Sequence, residues 1–234
     1  MFRCKSPPNM AAQMLDMIKE YPVGVLSVSQ NELVFQTHHS DDQVLVHLYL
    51  HWSSFESFKC KEDLTHSLSP RVFYALVQYS TLRLALVDTP VSDSPINTVQ
   101  IKGSDEDASL EWTLPVDAKT VILDIDKPVT ADLFIETIRL QTALEPFQGN
   151  VTLTWKKNQF CLSINSSESE CGSVTLNCSR IQGTATNTYS HTVLRSHLSS
   201  HLGAMVRLSY TGGPLRMQYK TDNTEVNFFI APSD

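Results

Sequence analysis

Two histidine pairs have the residue types and spacing of a metal site. His197 and His201 stand four apart in "TYSHTVLRSHLSSHL", where a helix would stack them on one face. A helical metal site of this kind also needs a catalytic glutamate or a third ligand, and none is visible nearby. His38 and His39 precede Asp41 and Asp42, but this cluster falls in a polar loop between two strands, and a turn accounts for it. No metal is expected at either place, and no cofactor. The chain has no GxSxG elbow, no Walker-type or dinucleotide glycine loop and no HExxH. Its eight glycines are too few to favour phosphate-cradling loops. An enzyme is the least favoured reading.

The segment around His197 suits a different chemistry. Val193, Leu194, Leu198 and Leu202 recur at helical spacing, with Thr192, Ser196, Ser199 and Ser200 opposite them. Arg195 lies on one flank, His197 and His201 on the other. Hydroxyls flanked by Arg and His suit sequence-blind contact with phosphate oxygens, and an ordinary solvated helix face is the plain alternative. The other predicted helices also carry cations: Lys19, Arg71 and Arg139. Across 234 residues the net charge is -7, so any nucleic-acid contact must be confined to part of the surface. A content of 41% hydrophobic and 18% charged residues is that of a folded chain rather than a disordered one.

No run of about eighteen apolar residues suggests a membrane span, and the start, "MFRCKSPPNM", lacks the apolar core of a signal peptide. The five cysteines, Cys4, Cys60, Cys161, Cys171 and Cys178, form no CxxC pair and read as free thiols in a reducing compartment. Sequons at Asn150, Asn165 and Asn177 argue weakly for secretion.

The elements that must position these residues repeat in order. The first half opens with a strand at 2–5 and a helix at about 9–20, with Ala11, Met14, Leu15 and Ile18 on one face. "GVLSVSQNELVFQT" reads as two strands around a turn, followed by strands in "QVLVHLYLHW" and "FESFKCKE". Ser69 and Pro70 open a second helix as N-cap and first-turn proline, and strands follow at 81–87, 97–102 and 109–113. In the second half, a strand at 120–125 leads to a helix after Thr130, with Phe134, Ile135 and Ile138 inward. Strands follow in "VTLTWKKNQFCLSI" and "GSVTLNCS", with a weaker one near 181–185. A helix at about 189–202 precedes strands at 204–210, 214–220 and 225–231. Between the halves, the acidic "GSDEDASLEWTLPVDA" reads as a connector lying on a surface. The predicted fold class is α+β, two similar units with sheet outside and helices gathered on one face.

The helix "MAAQMLDMIKE" with "NELVFQTHHSDDQVLVHLYL", the stretch "FESFKCKED", then "ADLFIETIRL", "GNVTLTWKKNQFCLSI" and the closing "GPLRMQYKTDNTEVNFFIAP" together resemble the PCNA family of DNA sliding clamps. No single motif is diagnostic; the order and spacing along the whole chain carry the resemblance. It implies the clamp fold, with an N-terminal domain over 1–104, an interdomain connector over 105–118 and a C-terminal domain over 119–234. It also implies a homotrimeric ring around double-stranded DNA, held head to tail. Lys19, Arg71, Arg139, Arg195, Ser196, His197, Ser199 and Ser200 would face the DNA. The strand at 97–102, with Val99 and Ile101, would pair with Val174, Leu176 and Cys178 of the next subunit. His38, Gln43, Val44, Trp112, Leu114, Pro115, Pro214, Phe229, Ala231 and Pro232 would dock the PCNA-interacting peptides of a DNA polymerase and other partners, with a clamp loader also implied.

The chain departs from the family in three ways. Asp16, Glu20, Asp132 and Glu136 offset the basic residues of the inner helices. His38 replaces an apolar pocket residue. The chain is shorter than typical cellular clamps and has no acidic tail. These departures suit a viral clamp or a checkpoint-type clamp, so the implied location is the nucleus or a viral replication site. The rivals are a checkpoint clamp subunit or non-trimeric viral processivity factor and, from another class, a secreted β-rich glycoprotein binding module.

Overall fold

The structure, a computed structural model, describes residues 2–5, 9–39, 43–88, 97–115, 128–157, 161–166, 172–178 and 180–233. The protein is a sheet-rich α/β protein with few helices. In the first half the elements are β1 (Phe2–Lys5), α1 (Asn9–Ile18), β2 (Val23–Val28), β3 (Glu32–His39), β4 (Val44–His51), β5 (Ser57–Cys60), β6 (Leu64–Ser67), α2 (Pro70–Val77), β7 (Thr81–Asp88), β8 (Asn97–Ser104) and β9 (Ser109–Pro115). In the second half they are β10 (Ala131–Glu136), α3 (Thr137–Leu144), β11 (Asn150–Trp155), β12 (Cys161–Ser166), β13 (Ser173–Asn177), β14 (Arg180–Gln182), β15 (Ala185–Ser190), α4 (His191–Ser196), β16 (Met205–Tyr210), β17 (Leu215–Lys220) and β18 (Thr224–Ile230).

Apart from a 3-10 turn at Trp52–Ser54 in the first half, the two series match element for element, and so do their sheets. The first unit takes in residues 1–38, 47–124 and 221–225. It holds a sheet of order β5-β1-β7-β8-β9 and the run β4-β3-β2-β6. The second unit takes in 39–46, 125–220 and 226–234. It holds the run β14-β10-β16-β17-β18 and a sheet of order β13-β12-β11-β15. The chain divides between 124 and 125 rather than at 104 and 119, and residues 39–46 fold with the second unit and 221–225 with the first. Inside the second unit Ala231 N–H donates to Gln43 O (3.1 Å), and inside the first His51 N–H donates to Asn223 O (2.9 Å). These two bonds run the strands antiparallel.

Local chemistry explains most elements. In α1, Ala11, Met14, Leu15 and Ile18 are all fully buried, one stripe at helical spacing. Ser69 caps α2, its Oγ accepting Val72 N–H at 3.3 Å, with Pro70 in the first turn. Ser190 caps α4 in the same way through Val193 N–H, so the repeat extends to the caps. Phe35 packs on Phe73 (4.7 Å) in the first core. Trp155, Tyr189, Tyr219 and Phe228 fill the second.

Three expected elements are corrected. Residues 131–136 form β10, not a helix: Ala131, Leu133 and Ile135 alternate into the core and pair with β16. The helix expected over 189–202 spans only His191–Ser196. Serine is a weak helix former, and Ser199 N–H donates to Tyr219 Oη (3.1 Å) instead of to a helical carbonyl. The stretch 105–115 is not a connector. Asp105 Oδ1 accepts Asp107 N–H (3.2 Å) and Ala108 N–H (2.8 Å), an Asx turn. That turn returns the chain as β9, in register with β8 from Ser104↔Ser109 to Thr98↔Pro115. Residues 116–118 and the strand expected at 120–125 lie outside the described residues.

Candidate functional site

The repeat makes the sheet edges of the two units directly comparable. In the second unit β18 has β17 on one side and β4 on the other. Its counterpart β9 has only β8, among the described residues. The counterpart of β4 is β13, whose only neighbour among the described residues is β12. One couple is therefore paired within the chain, and the equivalent couple is left as two open edges. An open edge exposes a row of unpaired backbone N–H and C=O groups.

Burial follows pairing. Six of the seven β18 residues are buried, whereas Ser109, Glu111, Trp112 and Thr113 on β9 are exposed. Val174 and Leu176 on β13 are half-buried, and Cys178 beyond it is buried. Val99 and Ile101, expected at a subunit boundary, lie on β8, which is bonded to β7 and β9 on its two sides. Ile101 is fully buried. Neither can add a strand; among the described residues the open edge is β9, not β8.

The helices pack in pairs within each unit, α1 on α2 and α3 on α4. Lys19 Nζ lies 2.9 Å from Asp16 Oδ1. This hydrogen bond holds the Asp16 carboxyl below the usual range and the Lys19 ammonium above it. Arg139 Nε lies 2.9 Å from Glu136 Oε2. Arg71 and Arg195 are exposed and carry no ion pair among the described residues. Ser196 and Ser200 are exposed and Ser199 half-buried. His197 is buried, 5.1 Å from the Phe228 ring, and its Nδ1–H donates to Val193 O (2.7 Å). It is a core residue, which corrects its expected DNA-facing position. With α4 ending at Ser196, His197 and His201 do not share a helix face. His38 and His39 end β3, and Asp41 and Asp42 lie outside the described residues.

The expected peptide-docking residues divide. In the second unit Gln43 adopts a left-handed conformation (φ 51°), which is uncommon for a residue other than glycine. Its carbonyl ties down Ala231. Ser233 N–H donates to Thr188 O at 2.9 Å, so the apolar tail is fastened on both sides. Pro232 is exposed, and Pro214 and Ala231 are half-buried. Val44 is buried, and Phe229 is buried beneath Arg216, whose Cζ is 5.5 Å from the ring. Phe229 therefore supports the tail from below and does not form an open wall. In the first unit His38 is exposed. Trp112, Leu114 and Pro115 belong to the β9 ladder, not to a connector. Of the sequons, Asn150 and Asn165 are half-buried in paired strands and Asn177 is exposed on β13.

Sequence reasoning missed the five-stranded sheet of the first unit as a chemical surface. Arg3 stands opposite Lys59 and Arg83, Arg83 opposite Lys102, and Lys102 opposite Glu111. In the next row Lys5 stands opposite Ser57 and Thr81, Thr81 opposite Ser104, and Ser104 opposite Ser109. The intervening Phe2, Cys4, Leu82 and Ile101 are buried, and burial pushes the Cys4 thiol up to about 12. The only hint in the sequence is alternation, as in "FRCK", where cations interleave with apolar residues.

No family model matches the chain, and no curated protein sequence matches it. Among the described residues no helix is long and apolar enough to cross a membrane.

Proposed function

We propose that this protein is a DNA sliding clamp: a processivity factor that encircles duplex DNA and tethers a DNA polymerase and other replication proteins. The observation that carries the reading is the pair of open edges. β9 and β13 are the counterparts of β18 and β4, which already pair antiparallel. Joining β9 of one copy to β13 of the next repeats a contact that the chain makes with itself. Such a contact is heterologous, and a heterologous contact that closes makes a ring. Three copies would supply six equivalent units.

In such a ring the helix pairs would line the bore. Two of their four cations are neutralised by Asp16 and Glu136, so each copy grips DNA weakly. Weak phosphate contact allows sliding, while closure of the ring supplies retention. Partner peptides would dock at the fastened tail, against Gln43, Pro214, Ala231 and Pro232.

The test is retention on circular and linear DNA. Clamp loaded on a closed circular plasmid is expected to stay and to leave after linearisation; equal retention on both forms would overturn the reading. Light scattering should give a trimer. Leu176→Arg, which puts a charge on the β13 edge, should weaken self-association about 100-fold, near 2.7 kcal/mol. Its melting temperature should stay close to that of the unsubstituted chain.

A further inference from the structure

We infer that the exposed face of the β5-β1-β7-β8-β9 sheet is a second nucleic-acid site, one that binds the phosphodiester backbone of a duplex without reading bases. Its first support is arrangement. Lys59, Arg3, Arg83 and Lys102 form one uninterrupted cross-strand row. With neighbouring strands about 4.8 Å apart, that row spans roughly 14 Å. Lys5 adds a fifth cation in the adjacent row, among Ser57, Thr81, Ser104 and Ser109. Arg, Lys, Ser and Thr are the side chains that hold phosphate oxygens.

The second support is energetic. Like charges directly opposite on adjacent strands destabilise a sheet, and this row contains three such pairs, Lys59 with Arg3, Arg3 with Arg83, and Arg83 with Lys102. Among the described residues the single ion pair on this face is Lys102 with Glu111, at 4.0 Å. Nothing in the fold demands the row. The equivalent row of the second unit is Arg180, Phe134, Arg207 and Gln218, and Asp132 binds Arg207 there. A chain of net charge -7 therefore concentrates cations on one sheet face against both local and overall electrostatics.

The face selects among anionic partners. A protein partner is anchored by apolar side chains entering pockets, and the two rows present only cations, hydroxyls and Glu111. A single strand is held by bases stacking on aromatic rings, and neither row contains one. A duplex backbone needs neither. It presents one charge per roughly 1.7 Å of axis counted over both strands, so the length of the cation row corresponds to about eight phosphates, of which only those on the near side face it. The site lies on a sheet and is separate from the helix faces assigned to the bore, though its nucleic-acid partner follows from the clamp reading.

The experiment is fluorescence anisotropy of a linear 20-base-pair duplex (about two helical turns) over a salt series. The proteins are the unsubstituted chain, a sheet variant Arg3→Ala/Lys59→Ala/Arg83→Ala, and a helix variant Arg71→Ala/Arg195→Ala. The sheet variant is expected to bind at least about tenfold more weakly, with the slope of log K against log salt reduced by about 2 to 3. Its melting temperature should rise or hold, which shows that the loss is not misfolding. Unchanged duplex binding by the sheet variant, or no duplex binding by the unsubstituted chain, overturns the inference. So does capture of an acidic peptide in place of the duplex. Circle retention reads out the clamp separately. Its absence alongside a weakened sheet variant would remove the ring and keep this site; its presence alongside an indifferent sheet variant would do the reverse.

Discussion

The two units build the same five-strand run and finish its exposed row differently. In the first, Lys59, Arg3, Arg83 and Lys102 face solvent in sequence across the strands. In the second, Phe134 occupies the place of Arg3, with Arg180 and Arg207 over its ring at 6.0 and 5.6 Å. Asp132 accepts Arg207 Nε–H at 2.9 Å, and Arg207 Nη1–H donates to Gln218 Oε1 at 3.3 Å. In the second row Arg207 is paired and both arginines pack on Phe134, whereas the first is held apart by its own charge. Strand order does not require either composition. The backbone pairing supplies the frame, and the outward residues decide whether a face stabilises the unit or serves a ligand.

The largest expected difference lies at the last strand of each run. Phe228 on β18 is fully buried against His197 and Tyr219, so Phe228→Ala should cost about 3–5 kcal/mol. On the counterpart strand, Glu111→Ala removes an exposed residue whose ion pair with Lys102 spans 4.0 Å, and it should cost less than about 1 kcal/mol. Urea denaturation of both variants measures the contrast. Similar costs would mean that β9 is as well buried as β18, and the open edge would be lost.

The rows themselves give the next contrast, and its sign differs between the units. Asp132 is buried and Arg207 is partly exposed. Asp132→Ala leaves the guanidinium without its carboxylate and should cost about 2–4 kcal/mol, toward the lower end because Arg207 retains some solvent. Arg83→Ala removes two like-charge pairs, with Arg3 and with Lys102, and should stabilise by a few tenths to about 1 kcal/mol. Thermal melts of the two variants moving in the same direction would break the comparison.

How far these differences can be read from the residues depends on the distance over which the cause acts. The Ser69-Pro70 start of α2 and the strand–turn–strand reading of "GVLSVSQNELVFQT" rest on local signals, and they match α2, β2 and β3. "ADLFIE" reads as the start of a helix because Phe134, Ile135 and Ile138 fit a helical stripe, yet Ala131, Leu133 and Ile135 fit an alternating one equally well. Pairing with β16 decides it. "DEDASLEW" reads as a connector because its acids dominate, but Asp105 spends its carboxylate on a turn. Which edges stay open, and which cations line up across four strands, depends on pairings between residues as far apart as Arg3 and Arg83. No local pattern encodes such a neighbour. Burial of His197 was missed for the same reason: its ring is covered by Phe228 from the far end of the chain.

The smallest contrast concerns two buried polar rings just before the second helix of each unit. On β6, His66 is buried, and neither ring nitrogen has a hydrogen-bond partner among the described residues. Burial holds its pKa below the usual 6.5. On β15, Tyr189 is buried and its hydroxyl is pushed up to about 12. Above pH 6.5 His66 is neutral in both folded and unfolded chains and costs nothing in charge. As pH falls below 6.5 the unfolded chain takes up the proton first, so stability declines, and the loss is complete once pH is below the folded value. Tyr189 stays neutral throughout this range. His66→Leu should therefore flatten the decline in urea midpoint between about pH 8 and about pH 5, and Tyr189→Phe should leave its slope unchanged. A decline of equal slope in the His66→Leu protein would show that other groups carry the acid sensitivity of the first unit. The two rings would then differ only in shape.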